Sequence, residues 1–568
     1  MKRILTLLFC SLTVIGAAAD NRSAAKMQEI ATQKLATLDT SGAKTRSVGE
    51  SKVTRVLNQS DLSVYTDGQH FAVISRDDRF PAVLAYGVGD FKADELNPSM
   101  KWWLEATEHG LAEGKRTARS FQRAATYQPV AEILTTKWHQ RSPYNNYAPA
   151  LKLYNSEKAP AGCVAIAMAQ IMNHHQYPAS AQFEGYYYQE GVSDEAYQGN
   201  VNSTYSWPYK DYYNYYYPEG SNETVKINTS PREGNLVATL CRDCAYAVDM
   251  EYTHDGSGAP TYNLPQNMIK HFTYSKIGCH FYARTFYTPD EWHSIVYGEL
   301  MKGYPFVYSG YDPKSGGHAF VADGIDAEGL LHVNWGWGGH YNGYFDMDLM
   351  NYNASEQFSE GQDIVVIRPQ ALEGEGFGSL IGMRGPFTLA FDKAKKELTF
   401  SWESFYNQCG KNIEGQVGFV FEHLTQPENS DILAFIDPEF EEEDYRVLPV
   451  GYGFTSASES IDIEKGDLAP GDYHVYLASK DKHESTYQMA RLAGGGYYYV
   501  EMSVDEQGVI TIGEAVKTSE NTAIHSIAMS DAERQQKGIY NLQGHNLGTN
   551  PKNLRKGIYI IDGKKVLK

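Results

Sequence analysis

Apolar side chains occupy nearly every position of the stretch 164–172, with alanines between the larger residues. Pro160 and Gly162 stand just before this stretch, and Pro178 limits it downstream. A stretch that is apolar on all sides at helical length predicts a central helix of a large core. Cys163 would then lie in the first turn, where free N–H groups and the helix dipole favour a thiolate. On this stretch alone, a cysteine that merely packs is an equally good interpretation.

The pattern upstream predicts a smaller, separate unit over residues 20–125. Residues 24–38 have the spacing of an amphipathic helix, and residues 105–122 predict a second helix that runs into a basic stretch. That stretch is expected to be exposed and cleavable, although a charge run is usually only a solvated face. Three strand-like runs lie between the helices, at 62–66, 71–75 and 82–86. The basic stretch contains Lys115, Arg116, Arg119 and Arg123.

Downstream, the pattern changes three times. Residues 126–370 begin with helices and Tyr-rich loops and continue, from about position 306, with short strands and glycine turns, which predicts a two-lobed α+β domain. Residues 375–515 are strand-like segments separated by turns, which predicts a β-sandwich. Residues 525–568 contain two related strand–turn units, with Asp562-Gly563 as a hairpin turn.

Length and charge limit the possible classes of protein. A chain of 568 residues is too long for one core and predicts about three or four domains. The net charge of -20 argues against a nucleic-acid partner or an anionic membrane surface. We expect a monomer.

The first 19 residues predict a secretory signal. Lys2 and Arg3 precede an apolar run, and a small-residue cleavage site ends at Ala19. No later run approaches the length of a transmembrane helix. The bulky Phe9 before Cys10 argues against a lipid anchor, so the protein is expected to be secreted or at the cell surface without a stable membrane anchor.

The remaining cysteines and histidines predict no metal site and no cofactor. Five cysteines follow the signal, and an odd number in an exported chain indicates a free thiol. The pair Cys241 and Cys244 lies in a helix predicted over residues 234–252 and has no second pair at zinc spacing, so core thiols are the favoured interpretation over a redox or zinc role. His174 and His175 are adjacent and would point about 100° apart on a helix.

A hairpin near position 320 brings polar side chains together. Residues 318–322 predict one strand, 326–329 a turn and 330–335 the returning strand. If 326 pairs with 329, then His318 faces about position 337, and Asn334, Trp335 and Trp337 lie within reach of its ring. A histidine with such a neighbour, together with Cys163 at a helix start, is the arrangement for acyl transfer.

An upstream amide completes this arrangement. The thiol needs a base, and the tetrahedral intermediate needs hydrogen-bond donors for its oxyanion. The backbone N–H of Cys163 is one candidate, and the side chain of Gln140 is the other.

The chain resembles the streptopain-like cysteine peptidases, the streptopain/interpain family of papain-like enzymes known from streptococci and Bacteroides-type bacteria. The matching stretches cover about residues 130–350 in the order of the family. They are KWHQ at 137–140 with PYN at 143–145, GCVAIAMAQIM at 162–172, VDMEY at 248–252, GGHAFV at 316–321 and HVNWGWGG at 332–339. His139 departs from the small residue that family members often carry there.

The resemblance implies a secreted cysteine endopeptidase that cleaves protein or peptide substrates, with residues 126–370 as the catalytic domain. It implies Cys163 as nucleophile, His318 as general base, Gln140 as oxyanion donor and Trp335 beside the imidazole, and it leaves open whether Asn334 contributes. Ser257 and Gly317 match substrate-lining positions. Residues 20–125 are implied to be an inhibitory propeptide, and residues 525–568 resemble sorting tails of type IX secretion.

Two other functions stay open at this point. One is a catalytically silent papain-like protein that acts in binding or adhesion through its β-sandwich. The other keeps the thiol chemistry but transfers the acyl group to an amine or cuts a non-peptide amide.

Overall fold

We describe the chain from a computed structural model. The structure describes residues 21–38, 52–116, 127–191, 193–211, 215–216, 225–226, 230–312, 316–348, 361–519, 539–540, 546–548, 558–561 and 564–567. The predicted signal at 1–19, the basic residues Arg119 and Arg123, and the Asp562-Gly563 turn lie outside the described residues.

Six α-helices lie in the described part of the chain: α1 Ala24–Leu38, α2 Pro98–Arg116, α3 Cys163–His175, α4 Pro231–Ala247, α5 Leu264–Phe272 and α6 Pro289–Met301. The apolar stretch around position 168 is helical, as predicted. The helix α2 begins at Pro98, earlier than the predicted start, because proline fits the first turn of a helix.

Seventeen strands occur before residue 370 in the described ranges. They are β1 Thr54–Asn58, β2 Leu62–Thr66, β3 His70–Ser75, β4 Val83–Val88, β5 Ala150–Leu151, β6 Glu157–Lys158, β7 Ser180–Gln189, β8 Ser193–Thr204, β9 Tyr215–Tyr216, β10 Val225–Lys226, β11 Met250–Tyr252, β12 Cys279–Ala283, β13 Phe306–Asp312, β14 Gly316–Ile325, β15 Leu331–Asn334, β16 Gly343–Phe345 and β17 Gln362–Ile367.

One sheet of ten strands joins the N-terminal region to the rest of the chain, in the order β1-β2-β3-β4-β16-β15-β14-β13-β17-β12. The connection is the antiparallel pair β4–β16, in which Tyr344 faces Tyr86. Residues 20–125 therefore do not form the separate unit that the sequence predicted. Two glycines permit this contact: a Cβ at Gly87 would lie 2.5 Å from the carbonyl oxygen of Asn342, and one at Gly343 would lie 2.4 Å from that of Tyr86.

The sheet carries a hydrophobic core on each face, and this gives the domain its two lobes. Helix α3 is buried along almost its whole length against α4 and β14, in a core that continues to α5. The opposite face packs on α2 and α6, through Trp103 and Trp292 among others. This is the α+β arrangement predicted for residues 126–370.

The hairpin around position 320 has the predicted register near the site. Val321 faces Asn334 and Ala322 faces Val333, so paired positions sum to 655 as expected. A bulge follows, and Gly324 faces His332 instead. The turn is held by Asp326, whose carboxylate accepts the N–H of Leu330 at 2.8 Å.

Two local predictions were wrong. The predicted helix over residues 234–252 ends at Ala247, because Asp249 has φ +52° and the next residues form β11, which pairs parallel with β7. The Tyr-rich run 185–188 is not a loop but part of β7, where the ring of Tyr187 stacks on Tyr246 with centroids 5.1 Å apart. The three consecutive tyrosines alternate in exposure, with Tyr187 half-buried between the exposed Tyr186 and Tyr188, as expected in a half-buried strand.

The region after residue 375 is a β-sandwich, as predicted. Its two sheets meet through Phe400 and Phe419, whose rings stack at 4.6 Å. Its strands are β18 Ile381–Met383, β19 Thr388–Asp392, β20 Glu397–Trp402, β21 Phe405–Asn407, β22 Gly415–His423, β23 Asp431–Ile436, β24 Gly453–Phe454, β25 Ala457–Asp462, β26 Gly471–Asp481, β27 Gln488–Met489, β28 Arg491–Leu492, β29 Tyr497–Val504 and β30 Ile510–Thr518.

The last four strands form a small sheet of their own, in the order β32-β31-β33-β34. They are β31 Ile539–Tyr540, β32 Asn546–Gly548, β33 Ile558–Ile561 and β34 Lys564–Leu567. Among the described residues, no helix has the length and apolarity needed to cross a bilayer.

Candidate active site

Cys163 is the first residue of α3, and the turn before it requires a glycine. Gly162 has φ +96°, and a Cβ there would lie 2.6 Å from the Cε of Met250. Only glycine fits both this backbone conformation and the close methionine. All five cysteines after residue 20 are free thiols in the described structure, and Cys163 alone is partly exposed. Its thiol therefore faces a cleft while the other four are enclosed in the core.

His318 lies on β14 and lines the same cleft as Cys163. Its ring packs between aromatic side chains, with centroids 6.2 Å from Phe320 and 6.3 Å from Trp335. The preceding Gly316 has φ +80°, so the chain reaches the histidine through a conformation that glycine favours. The two residues of the predicted acyl-transfer pair are thus together at one site.

Burial keeps both groups neutral in this structure. The pKa of the Cys163 thiol is raised by burial, which outweighs hydrogen bonds with the backbone of Ala319 and Val164. The pKa of His318 is lowered by burial to about 4, against a smaller opposing effect of a backbone hydrogen bond to Trp335. The helix start was expected to favour a thiolate, but desolvation of the closed site dominates.

Trp335 has the position that the hairpin pattern predicted. Its indole N–H donates to the carbonyl oxygen of Tyr341 at 3.0 Å, and its ring meets Phe320 at 4.7 Å. A large ring fixed in this way forms a wall for the imidazole of His318.

Asn334 is buried beside this wall, but its hydrogen bonds go elsewhere. Its amide N–H groups donate to the carbonyl oxygen of Thr136 at 2.6 Å and to the Oε1 of Gln170 at 3.1 Å, and its oxygen accepts the N–H of Gly336 at 3.2 Å. The residue ties the hairpin to α3 and to the strand-like segment around position 136.

Gln140 lies close to the start of α3. Its carbonyl oxygen accepts the N–H of Ala161 at 2.9 Å, two residues before Cys163, and its side chain is buried. The segment is held against the glycine-rich loop after Trp335, since Gly338 N–H donates to the carbonyl oxygen of Trp138 at 2.9 Å. The backbone of Gln140 is thus bonded to the turn that precedes the predicted nucleophile.

Ser257 and Gly317 differ in their relation to the cleft. Gly317 lines the cleft directly beside His318. Ser257 is buried, and its hydroxyl donates to the carbonyl oxygen of Pro160 at 2.8 Å, so it supports the turn before Cys163, while the next residue, Gly258, reaches the cleft.

Helix α2 of the N-terminal region covers the histidine. The hydroxyl of Ser99 is hydrogen-bonded to the Nε2 of His318 and also accepts the indole N–H of Trp337 at 2.7 Å. One turn further, Trp102 donates to the carbonyl oxygen of Gly316 at 2.9 Å. A ring from α2 therefore lies over the backbone that carries the histidine.

Comparison with known proteins agrees with this geometry. The model of the peptidase C10 family matches residues 138–345. Streptopain of Streptococcus pyogenes is 30% identical to the chain over 319 residues, which are 52% of this chain and 76% of streptopain. The chain belongs to the peptidase C10 family. The predicted resemblance to streptopain-like cysteine peptidases is therefore confirmed, as is the α+β fold with a β-rich C-terminal part.

Other similar proteins match different shares of the chain. Thiol protease/hemagglutinin PrtT of Porphyromonas gingivalis is 30% identical over 331 residues, and the chain spans only 36% of that protein. A prointerpain A fragment of Prevotella intermedia has 32% identity and a TM-score of 0.48, with 57% of this chain and 99% of the fragment covered. Active interpain A has 32% identity and a TM-score of 0.36, with 43% and 97% covered.

Sequence reasoning on the C10 chain missed Ser99 and Trp102. The contact between Ser99 and His318 joins positions 219 apart in the chain. The sequence signal was the Trp102-Trp103 pair in a helix, which indicates a buried face but not its partner. Among the described residues, no cluster of three or more His, Cys, Asp or Glu side chains could hold a metal ion.

Proposed function

We propose that the chain is a secreted cysteine endopeptidase made as a self-processing zymogen. The observation that carries the proposal is the hydrogen bond from Ser99 of α2 to His318, in a cleft that Cys163 shares. With Ser99 hydrogen-bonded to its Nε2, the base is covered by the chain's own N-terminal region. The region up to about residue 125 would then be an inhibitory propeptide.

In the proposed mechanism, His318 takes the proton of the Cys163 thiol and the thiolate attacks the substrate carbonyl carbon. The oxyanion is stabilised by the Cys163 backbone N–H and the Gln140 amide. His318 then protonates the leaving amine, and a water molecule, deprotonated by the same imidazole, hydrolyses the thioester. Trp335 holds the ring in place, and Asn334 acts through Thr136 and Gln170 rather than on substrate.

The electrostatics of the closed site support a zymogen. Burial raises the pKa of Cys163 and lowers that of His318 to about 4, so both groups are neutral under α2. Departure of α2 would return water to the site and favour the charged pair. The same helix is also held by Trp103, whose indole N–H donates to the carbonyl oxygen of Asp346 at 3.1 Å.

The export part of the proposal is supported by sequence alone. A charged start, an apolar run and a small-residue site fill residues 1–19, and the sheet of β31 to β34 corresponds to the predicted sorting module at 525–568. Protein substrates and inhibition by the propeptide in cis are the interactions we infer.

The test compares residues 20–568 with the Cys163→Ala variant under reducing conditions, following chain length and casein cleavage together. Cys241→Ala is the matched control, because it removes a thiol buried in the core and leaves Cys163 in place. We expect the wild type and the control to lose the N-terminal region and gain activity that alkylation abolishes. An active Cys163→Ala chain, or a wild type that stays inactive after trypsin has cut the basic stretch, would refute the proposal and favour a binding protein.

A further inference from the structure

A chamber of about 750 Å³ opens beside Cys163 and His318, and the β-sandwich forms part of its wall. Its peptidase side includes Ser309 of β13 and Asp363 of β17. The outer side is β21 together with the segment that follows it, and Tyr406 and Gln408 line the chamber there. The cleft next to the reactive groups is therefore built by two domains.

The sandwich segment is fixed against the peptidase domain. Gln266 of α5 donates its backbone N–H to the carbonyl oxygen of Gly410 at 3.0 Å, and its side-chain oxygen accepts the N–H of Asn412 at 2.9 Å. Gly410 has φ +71°, and a Cβ there would lie 2.6 Å from Phe281, so the close approach requires glycine. These contacts hold the segment of the sandwich against α5.

Asp363 lies at the peptidase side of the chamber, and among the described residues its carboxylate has only hydroxyl partners. Its Oδ1 accepts the hydroxyl of Ser309 at 2.6 Å and that of Thr261 at 3.0 Å. None of the ion pairs among the described residues includes it, and burial raises its pKa to about 7. A carboxylate has about four acceptor sites, so two hydroxyls leave capacity for a further donor.

We propose that this chamber takes one side chain of the bound substrate and that Asp363 makes it select lysine or arginine. The inference rests on the proposed peptidase function. The aliphatic part of such a side chain would pass the apolar surface of Phe281 and the ring of Tyr406, and its charged end would reach the carboxylate. The cation would supply the partner that Asp363 lacks, in a desolvated site where such pairs are strong.

The test uses the self-processed wild-type enzyme and peptides with lysine or norleucine at each position around the cleaved bond. At one position, we expect lysine to be preferred about tenfold in kcat/KM, as for one charged hydrogen bond. Asp363→Asn should abolish this preference by slowing the lysine peptide alone. Glu422→Gln is the matched control, since burial raises the pKa of that carboxyl to about 7 as well, but Glu422 lies on β22 and does not line the chamber.

A second variant covers the case in which Asp363→Asn does not fold. Gln408→Lys places a cation on the outer wall, and we expect it to lower the lysine preference while norleucine peptides keep their rate. A wild type that prefers norleucine at every position, or a lysine preference that survives in the foldable variants, would overturn the inference.

Failure of the proposed function would give a different result, namely no hydrolysis of any peptide. In that case, calorimetry with the N-acetyl amides of lysine and norleucine on the full-length chain tests the chamber by itself. Tighter binding of the lysine amide that Asp363→Asn removes would support the inference, and equal binding would overturn it.

Discussion

Replacement of Ser99 by alanine tests whether one hydroxyl keeps the enzyme closed. In the closed form, in which α2 covers the site, this hydroxyl is hydrogen-bonded to two nitrogen atoms, the Nε2 of His318 and the indole Nε1 of Trp337. Ser99→Ala leaves both without that partner in a site that α2 covers. If the proposed processing removes the region up to about residue 125, the processed enzyme lacks Ser99 and the change acts only on the closed form.

The size of the effect follows from these two bonds. Each lost hydrogen bond in a buried site costs about 1 kcal/mol or somewhat more. Two such losses weaken the closed form by about 2 kcal/mol, which corresponds to roughly 30-fold in the ratio of open to closed molecules. If opening limits self-processing, the Ser99→Ala chain should mature roughly 30 times faster.

The assay follows the loss of the N-terminal region by gel and the appearance of peptidase activity after dilution into reducing buffer. Ser63→Ala is the matched control: Ser63 is a buried serine of the same region, on β2, and it donates to Asn58 at 3.0 Å without touching the site. The reasoning is refuted if both variants mature equally fast, or if Ser99→Ala matures at the wild-type rate. The processed enzymes should have equal kcat/KM.

Three further predictions concern the residues around this contact. In the unprocessed Cys163→Ala chain, the pKa of His318 is about 4 in the folded state and near 6.5 in the unfolded state, so the stability that comes from burying the neutral ring is lost as the pH falls from 6.5 to 4. Over this range the free energy of unfolding should fall by up to about 1.4 kcal/mol per pH unit relative to the same chain with His318→Gln, and parallel pH profiles of the two chains would contradict this. Trp335→Ala should lower kcat about tenfold or more with KM little changed, because the imidazole loses its wall, and unchanged kinetics would remove that role. Gly162→Ala should lower both activity and the melting temperature, because φ +96° is strained for a residue with a Cβ; a wild-type melting curve would contradict the predicted strain.

Short-range patterns were sufficient for much of the site. The all-round apolar stretch predicted α3 with Cys163 in its first turn, and the hairpin arithmetic brought Asn334 opposite Val321 and Trp335 within reach of His318. Each of these inferences used only residues that are neighbours along one helix or across one turn, where the spacing in the sequence determines the direction of the side chain.

What the sequence could not predict were contacts between distant segments. Nothing in the local pattern of Ser99 indicates that its hydroxyl meets His318, and nothing around Tyr406 indicates that it borders the peptidase cleft. The helix over 234–252 was wrong for a related reason: β11 exists because β7 offers it a partner, and a three-residue strand has too little pattern of its own.

The pairing of β4 with β16 makes maturation, as proposed here, a division of one continuous sheet. When the N-terminal region leaves, β16 becomes an edge strand whose backbone groups lose their partners across Gly343 to Phe345. Unpaired edges invite other strands, and proteins limit this risk by keeping them short. Three residues are enough to set the register with the propeptide, but they give a strand of another protein few groups to pair with. The shortness of β16 therefore protects the new edge of the processed enzyme against such pairing.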